Sequence, residues 1–427
     1  MSLTTAHTWL TEASIDVSTV MFGMHTSYFL FPITAASEYS LRVVEKVIYL
    51  DNAASAPTRQ EAIDAMLSVL QYCYGNPSGS HKMAREARRL IDNARDTLST
   101  GLGCDPKEII FTGGGTEADN LAVFGVHGAR NGTVVASMTE HHAVLEPIEK
   151  LGGKLVQVHA DGSLDLDHLF EVLDENVSLV SIGLVNGETG IIQDLKKIAE
   201  VVKGQAPNAL LHTDAVQAFP WLDVATLSKP ADLVSIAGHK FGSPKGVGAL
   251  VVREGIDIAP IQLGGGQELG KRSGTQNTAA IAAMAAAAAV TVSEREETVS
   301  RVSGLRDKLA DKLRQIPESY ETGIDMSNGE VDRSNKIAGS CHFCFEMIES
   351  EALLFMLEQE NILASAASSC SSGAQDPSHV LAAMGYSRSL AGGSLRLSLG
   401  YRTTNEDVAT AIEVVPEFIK NLRKTGS

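Results

Sequence analysis

The spacing of hydrophobic positions along the chain changes at Val47. From there on, short apolar runs end in turns that contain Gly or Asp, and segments with the spacing of amphipathic helices lie between them. This alternation is typical of an α/β protein with a largely parallel sheet that helices cover on both faces. The predicted strands are Glu108–Thr112, Thr133–Ser137, Leu155–His159, Leu179–Val185, Leu210–Thr213, Leu233–Ala237 and Gly248–Arg253.

A different arrangement is predicted beyond residue 278. The run Ala279–Val290 is almost entirely Ala and predicts a closely packed helix at the end of a large domain. A charged amphipathic helix follows at about Ser293–Ile316, and further strands are predicted at Ile337–Phe345 and Ser394–Leu399. The expected domains are a large one over residues 59–295, a small α+β one formed by residues 47–58 together with 296–427, and an N-terminal extension of unclear structure over residues 1–46.

The net charge and the cysteines of the chain disfavour several classes of protein. A formal net charge of −17 disfavours binding to nucleic acid or to an anionic membrane, because neutralising phosphates needs clustered Lys and Arg. Residues 1–41 contain no Lys or Arg, so we expect neither a secretory signal nor a transit peptide there. The apolar run Tyr28–Ile33 is too short to span a bilayer. Five cysteines in 427 residues do not resemble a disulfide framework and favour a reducing, cytoplasmic location.

Cys341 and Cys344 form a CxxC pair inside a predicted buried strand. The pair has two interpretations, packing in the core or work as a metal or redox site. Since no second Cys pair completes a zinc site, we favour packing and expect no metal.

Candidate chemistry starts at a glycine-rich junction. The segment 108–120 runs from an apolar strand through three glycines into a helix start, where exposed amide groups can bind an anion such as phosphate. The alternative is a plain turn in which Thr116 caps the helix. Asn186, Asp214 and Gln217 follow predicted strands, at the edge where open α/β sheets bind ligands, although each is equally explained as a capping or solvated group.

Lys240 lies where another predicted strand meets a turn rich in Gly and Pro, directly after His239. A lysine in such a turn is usually a surface group. Here small residues surround it and would let a flat ring lie close to the backbone. Partial desolvation favours the deprotonated amine that forms a Schiff base with an aldehyde. The segment therefore indicates a Schiff-base lysine.

From about Ile48 to Arg402 the chain resembles the cysteine desulfurases of the class V aminotransferase group, short-loop type, which have the fold type I of enzymes that use pyridoxal 5′-phosphate (PLP). The motifs recur in the family's order over most of the chain, which excludes a chance likeness. They are YLDNAAS (49–55), YGNPSGSH (74–81), TGGGTEADN (112–120), TEHHAVLEP (139–147), VNGETG (185–190), HTDAVQ (212–217), GHKFGSPKG (238–246), RSGT (272–275), SSCSSG (368–373) and SLRLSLG (394–400).

The resemblance implies a role for each matching position. Lys240 matches the lysine that binds PLP, and Asp214 matches the carboxylate that pairs with the pyridine nitrogen. Arg396 matches the guanidinium that grips the substrate's α-carboxylate with a two-pronged hydrogen bond, and Asn186 is implied to lie beside the substrate as well as the ring. The remaining positions are implied to contact the cofactor: His141 stacked on the ring, Asn186 and Gln217 near the ring oxygen, and Gly115, Thr116 and His239 in the phosphate cup, with Thr275 reaching in from the second subunit of a homodimer.

Cys370 determines the reaction that the resemblance implies. Without the resemblance it would be interpreted as an unremarkable thiol in a loop of small residues; with it, Cys370 matches the nucleophile that takes sulfur from L-cysteine as a persulfide and leaves L-alanine. Lys240 would remove the Cα proton, and His141 is the candidate proton carrier. We expect residues 364–375 to swing between the cofactor pocket and a partner, and Asp376 and Pro377 to start the following helix as its N-cap and N1 residues.

Three positions depart from the usual family pattern. Ala237 stands where many members have a phosphate-binding Ser, so we expect weaker retention of PLP. Gly187 replaces a common second Asn, and Ser369 and Ser371 flank Cys370 where Ala and Thr are frequent. These changes bear on substrate preference more than on the class of reaction.

The resemblance also implies partners. A homodimer is expected, with an iron-sulfur scaffold protein or another sulfur acceptor that receives the persulfide sulfur. Two alternatives stay open. One is a related PLP lyase that acts on selenocysteine or cysteine sulfinate, and the other is a degenerate family member kept as a binding protein without turnover.

Overall fold

The computed structural model describes residues 47–324, 331–366 and 378–425. The strands of the described part are β1 (Ile48–Tyr49), β2 (Ile109–Thr112), β3 (Thr133–Ser137), β4 (Lys154–Val156), β5 (Val177–Ser181), β6 (Leu210–Asp214), β7 (Leu233–Ala237), β8 (Gly248–Val252), β9 (Ser319–Glu321), β10 (Ser340–Phe345), β11 (Ile362–Leu363) and β12 (Ser394–Ser398). The helices are α1 (Gln60–Tyr72), α2 (Lys82–Leu102), α3 (Gly115–Arg130), α4 (His142–Lys150), α5 (Leu166–Val172), α6 (Leu195–Gln205), α7 (Val224–Leu227), α8 (Thr278–Leu313), α9 (Ser350–Gln359), α10 (His379–Ala383), α11 (Arg388–Ala391) and α12 (Asn405–Thr425).

The largest described sheet has the strand order β2-β8-β7-β6-β5-β3-β4. Strands β4, β3, β5, β6 and β7 pair in parallel, whereas β8 is antiparallel to both of its neighbours, β7 and β2. The carboxyl ends of β2, β3, β5, β6 and β7 therefore meet at one edge of the sheet, where α/β proteins of this kind bind ligands. The expected α/β fold with a mainly parallel sheet is confirmed.

Alternating residues of the central strands face two different apolar layers. Val135 and Val180 belong to one buried cluster, and Val134 and Leu179 belong to the other. The first cluster includes residues of α2, α5, α6 and α8, and the second includes residues of α3 and α4. Helices thus cover both faces, which explains why these strands are continuous apolar runs in the sequence.

A second apolar core surrounds the antiparallel sheet β12-β10-β9. It takes in Ile48 and Leu50 at the start of the described chain, residues of α9 and α12, and the last turns of α8. Strand β1 pairs in parallel with β11, so the start of the described chain packs with its C-terminal part. This places residues 50–54 beside β12.

The two helices predicted around residues 279–316 are one continuous helix, α8, with 36 residues. Its alanine-rich first half lies in the core of the large sheet, and Val302, Leu305 and Leu309 lie in the second core. The sequence suggested a break because the composition changes near Val290 from alanine to charged residues. That change marks a new packing partner, not the end of the helix.

Cys341 and Cys344 are buried in β10, as the packing interpretation requires. Residues three apart on a strand point to opposite faces, and the two thiols belong to different apolar clusters. Burial raises the pKa of both thiols to about 12. Within the described ranges, no group of three His, Cys, Asp or Glu side chains is placed to hold a metal ion, and no helix has the length and apolarity to cross a membrane.

Candidate active site

Most of the predicted site residues lie in the segments that leave the carboxyl ends of the parallel strands. Lys240 ends a 3₁₀ turn directly after β7, Asp214 is the last residue of β6, and His141 lies between β3 and α4. Asn186 comes five residues after β5, because this strand ends at Ser181, earlier than predicted. We call the segments 138–141, 182–187, 214–217 and 238–240 the sheet edge.

Residues 51–54 and Arg396, which we call the opposite wall, contact the sheet edge directly. Lys240 and Gln217 of the sheet edge line one pocket together with Asn52, Ala53 and Arg396 of the opposite wall. Lys240 Nζ donates hydrogen bonds to the carbonyl oxygens of Ala53 at 2.6 Å and Ala54 at 3.1 Å. Gln217 Nε2 donates to the same Ala53 oxygen at 2.7 Å. The expected lysine and the expected amide thus converge on one short turn.

Asp214 is enclosed at the end of β6, where its Oδ1 accepts a hydrogen bond from the Val216 amide at 2.8 Å. Burial raises the pKa of Asp214 to about 6, while the Val216 amide and the charge of Lys240 lower it. A half-buried carboxylate with a positive neighbour suits the role expected of this residue.

A fully buried acid, Asp119 of α3, is close enough to Asp214 for the two carboxyl groups to interact. Burial raises the pKa of Asp119, and the charge of Asp214 raises it further, so two neighbouring carboxyl groups compete for ionisation. His212 Nε2 is 3.7 Å from Asp119 Oδ1, but burial lowers the pKa of His212 to about 3 and keeps the ring neutral. Asp214 has the backbone donor and the nearby lysine, so it is the member of the pair that carries the charge. Asp119 was not identified from the sequence beyond its place in a motif.

His141 is the N-cap of α4, and its Nδ1 accepts a hydrogen bond from the Ala143 amide at 3.1 Å. A neutral ring that accepts at Nδ1 carries its proton on Nε2. Although His141 is exposed in the single chain, partial desolvation lowers its pKa, and the charge of Lys240 lowers it further. The same two causes, in the same order, lower the pKa of His239 to about 4. Both imidazoles are therefore neutral near pH 7.

Asn186 braces the turn that it starts. Its Oδ1 accepts hydrogen bonds from the amides of Glu188 at 3.0 Å and Thr189 at 2.9 Å, and its Nδ2 donates to the Thr139 carbonyl at 2.9 Å. One Nδ2 hydrogen remains to meet a ligand. The turn it braces places the Gly187 carbonyl next to Arg396.

The glycine-rich junction forms a narrow cradle at the start of α3. Gly114 has φ +155° and ψ −177°, a conformation that is essentially restricted to glycine. A side chain at Gly115 would lie 3.2 Å from Ala237 Cβ, so backbone and strand approach closely there. Gly114 is the N-cap, and Thr116 therefore lies inside the first turn. The alternative in which Thr116 caps the helix is wrong, because the glycines let the helix start two residues earlier.

Arg396 projects from β12 into the opposite wall. Its Nη2 is 3.1 Å from Asp51 Oδ1, and its Nη1 donates to the Gly187 carbonyl at 3.2 Å. The side chain is 13% exposed, so the charge is mostly enclosed but reachable from the pocket. Asp51 was not singled out from the sequence, and no local signal could have found it, because its partner is 345 positions away.

Glu188 connects the sheet edge to α10. Its Oε2 accepts a hydrogen bond from Ser378 Oγ at 2.6 Å, and burial raises its pKa to about 7. Ser378 is the N-cap of α10, with its hydroxyl accepting from the Val380 and Leu381 amides. The described helix starts later than expected and the Ser378 hydroxyl serves both amides, while Asp376, the predicted cap, lies outside the described residues.

Three of the predicted site residues, Lys240, Gln217 and Arg396, line the pocket. The other described ones lie at the sheet edge or at the start of α3, with the exception of Thr275. Thr275 is exposed in the segment before α8, and no hydrogen bond joins it to the described sheet edge. Cys370, with Asp376 and Pro377, lies in residues 367–377, outside the described ranges. Neither role is tested by the geometry.

Comparisons of the chain with known proteins show which family it resembles. A family model described as aminotransferase class-V matches residues 48–410. The chain is 37% identical to the cysteine desulfurase IscS of Methanosarcina thermophila, over 88% of the chain and 93% of that protein. It is 39% identical to the IscS-like cysteine desulfurase of Mycobacterium tuberculosis, over 88% and 98%.

Solved structures agree with the sequence matches. A NifS-like protein superimposes with a TM-score of 0.80 at 32% identity, covering 88% of this chain and all of that one. The NifS-like protein of Rickettsia africae superimposes with a TM-score of 0.78 at 30% identity, over 88% and 100%. These neighbours confirm the expected fold type I. The chain therefore belongs to the class-V aminotransferases and, within them, to the cysteine desulfurase family.

Proposed function

We propose that the chain is a PLP-dependent cysteine desulfurase, which converts L-cysteine to L-alanine and takes the sulfur onto Cys370 as a persulfide. The observation that carries the proposal is the convergence of Lys240 and Arg396 on one pocket. A base and a carboxylate-binding guanidinium that line one pocket are what chemistry at an amino acid's Cα needs. The family relationship supports the same reaction.

The residues at the sheet edge fit PLP. The first turn of α3 offers backbone amides without helical partners, and a side chain at the preceding Gly114 would meet no atom within 4 Å, so open space that suits a phosphate lies there. Asp214 Oδ2 would hold a proton on the ring nitrogen, and His141 would lie against the ring. Lys240 would bind the aldehyde carbon. When bound, PLP supplies a sink for the electron pair that remains on the substrate's Cα.

The chain's own residues have separate tasks in this reaction. Arg396 binds the α-carboxylate through its planar guanidinium and so orients the substrate. Lys240 Nζ, which becomes free once the substrate's amino group has replaced it on the aldehyde carbon, takes the Cα proton. The Cys370 thiolate attacks the substrate's sulfur, the carbon-sulfur bond breaks, and protons delivered to the carbon skeleton complete alanine. His141, neutral and protonated at Nε2, is the group placed to carry a proton.

Further parts of the proposal concern assembly. We propose a homodimer in which Thr275 completes the phosphate cup of the other subunit, and its exposure in one chain is compatible with that role. We also propose that the large sheet with its two apolar layers corresponds to the expected large domain, and that the second apolar core corresponds to the expected small domain. The persulfide sulfur goes to an acceptor such as an iron-sulfur scaffold protein, in the cytoplasm. One structural neighbour is described as SspA in complex with cysteine, which supports L-cysteine as the substrate.

Replacement of Cys370 tests the sulfur-transfer step. Cys370→Ser is expected to abolish alanine formation from L-cysteine, because the serine hydroxyl does not accept sulfur as a thiolate does. The measurement is alanine by amino-acid analysis after incubation with L-cysteine, L-selenocysteine or cysteine sulfinate. Cys73→Ser, which removes a partly exposed thiol outside the pocket, is the matched control and should keep full turnover.

The substrates separate the alternatives. Loss of turnover on cysteine alone supports the proposal. Unchanged turnover of cysteine by Cys370→Ser contradicts the persulfide step and favours a lyase that acts on selenocysteine or the sulfinate. Failure of borohydride to fix PLP on the Lys240 peptide of the parent protein would identify a degenerate member.

A further inference from the structure

The turn Asp51–Ala54, which we call the β1 turn, contacts three functional side chains. Ala53 and Ala54 accept hydrogen bonds from Lys240, and Ala53 accepts a second one from Gln217. Asp51, in the same turn, forms an ion pair with Arg396 of β12. The proposed function uses Lys240 and Arg396 but gives the β1 turn no task.

The β1 turn is fixed by Asn52, whose side chain is nearly buried, with 8% of the residue exposed. Asn52 Nδ2 donates to the carbonyl oxygens of Ser398 at 2.8 Å and Tyr49 at 3.1 Å. The Ala53 amide donates to Ser398 Oγ at 2.9 Å. A side chain at Gly400 would lie 2.1 Å from Asn52 Oδ1, so the strand end admits only glycine there. The carbonyl groups of the turn are thus held in place against β12.

Two carbonyl oxygens form a site that distinguishes a charged ammonium group from a neutral amine. A carbonyl accepts and cannot donate, whereas an ammonium group has three donors and no acceptor. The Ala53 and Ala54 oxygens, at 2.6 Å and 3.1 Å from Nζ, therefore interact more strongly with the charged form of Lys240. A proton transfer to Nζ creates this charged form.

We propose that the β1 turn is the acceptor site for the Lys240 ammonium during proton transfer from Cα, and that Asn52 is the positioning residue that fixes it. The proposal rests on the proposed function. In the step, the Cα–H bond breaks, an N–H bond forms at Nζ, and the electron pair stays on the substrate. The positive charge that develops on Nζ meets oxygens that are already oriented, which lowers the barrier.

The same turn sets the spacing between base and substrate. Asp51 and Ala53 are two residues apart, and they contact the guanidinium of Arg396 and the amine of Lys240. A shift of the turn therefore moves both groups together. A purely structural role for Asn52 would affect stability without changing the reactivity of Lys240 towards a reagent.

Competitive acylation measures that reactivity without any turnover. PLP is removed with hydroxylamine, the full-length chain is treated with a trace of acetic anhydride, and acylation of Lys240 is compared with that of the exposed Lys245 by peptide mass spectrometry. In Asn52→Ala the oxygens lose their orientation, and the acylation of Lys240 relative to Lys245 is expected to rise about tenfold, the effect of one hydrogen bond to a charged group. In the holoenzyme the same variant is expected to lower kcat about tenfold and to increase the isotope effect with cysteine deuterated at Cα.

The control is Tyr49→Phe, which removes a hydrogen bond of 2.8 Å from the hydroxyl to the Ser55 carbonyl and leaves the side-chain contacts of Asn52 and Ser398 in place. It should leave the acylation ratio unchanged. A parent-like ratio in a folded Asn52→Ala protein overturns the proposal. If Asn52→Ala does not fold, Ser398→Ala replaces it and should raise the ratio about threefold, and a parent-like ratio in that variant overturns the proposal in the same way.

The two readouts separate this inference from the proposed function. Absence of alanine formation by the parent protein, together with a changed acylation ratio in Asn52→Ala, would refute the desulfurase and leave the acceptor site standing. Alanine formation by the parent with an unchanged ratio would refute only the acceptor site.

Discussion

At the sheet edge, the half-buried Asp214 and the buried Glu140 accept hydrogen bonds from backbone amides, whereas in the opposite wall Asp51 and Arg396 form an ion pair at 3.1 Å. The sheet edge consists of segments that follow neighbouring strands, so the strand register fixes its geometry. The opposite wall joins positions 345 residues apart. The first region is suited to hold a rigid ring, and the second to bind and release a charged substrate.

The largest effect is expected from Arg396→Lys. This change should weaken substrate binding at the opposite wall and leave PLP binding at the sheet edge unchanged. The lysine keeps the charge but loses the planar fork that contacts Asp51 and the Gly187 carbonyl. We expect kcat/KM for L-cysteine to fall about a hundredfold, mainly through KM, with PLP absorbance unchanged. Steady-state kinetics check this. Arg402→Lys, at an exposed arginine of the same region, is the control, and an unchanged KM in Arg396→Lys would remove the opposite wall from substrate binding.

A smaller effect is expected from Ala237→Ser at the end of β7, next to the sheet edge. Ala237 ends β7 beside the start of α3, so a hydroxyl there adds a donor to the phosphate cradle. PLP should dissociate about tenfold more slowly, as measured by the loss of bound absorbance during dialysis, while KM for cysteine stays the same. Ala249→Ser makes the same change in the neighbouring strand β8, away from the cradle, and should not slow release. Equal dissociation from Ala237→Ser and the parent would contradict the predicted cradle.

The smallest effect concerns the buried acid Glu140. Burial raises its pKa to about 8, although the Gly183 amide, which donates to Oε1 at 2.9 Å, lowers it. A carboxyl group with a raised pKa in the folded state contributes stability that is complete below its ordinary pKa and is lost as the pH rises through about 8. Glu140→Gln keeps the acceptor for Gly183 and removes this loss.

Thermal unfolding of the PLP-free protein measures the difference. The Tm of Glu140→Gln should exceed that of the parent by about 2 °C or more at pH 9, and the gap should close towards pH 5. Glu146→Gln, at an exposed position of α4, is the control without such a gap. A gap that widens as the pH falls would mean that Glu140 is charged in the folded protein.

The sheet edge could be predicted from the sequence because its residues follow apolar runs directly. Asp214 and Lys240 needed only the strand ends and the family motifs to be placed. The antiparallel direction of β8 could not be inferred, since a buried apolar run looks the same in either direction.

The opposite wall could not be predicted because its contacts are long-range. The pairing of Asp51 with Arg396 depends on β1 packing beside β12, which no local pattern encodes. Likewise, the capping of α10 by Ser378 depends on Glu188, almost two hundred positions earlier in the chain. Local rules proposed Asp376 because an Asp-Pro pair is a common helix start.

The continuous helix α8 has a consequence for the evolution of the chain. One end of α8 is packed in the core of the large sheet and the other in the second core, so the length of the helix fixes the position of one set of contacts relative to the other. A single inserted residue would turn everything beyond it by about 100° and advance it by about 1.5 Å, which would turn Val302 and Leu305 away from their core. Insertions in the surface loops face no such constraint. Relatives of this protein should therefore vary in loop length while the number of residues in this helix stays fixed.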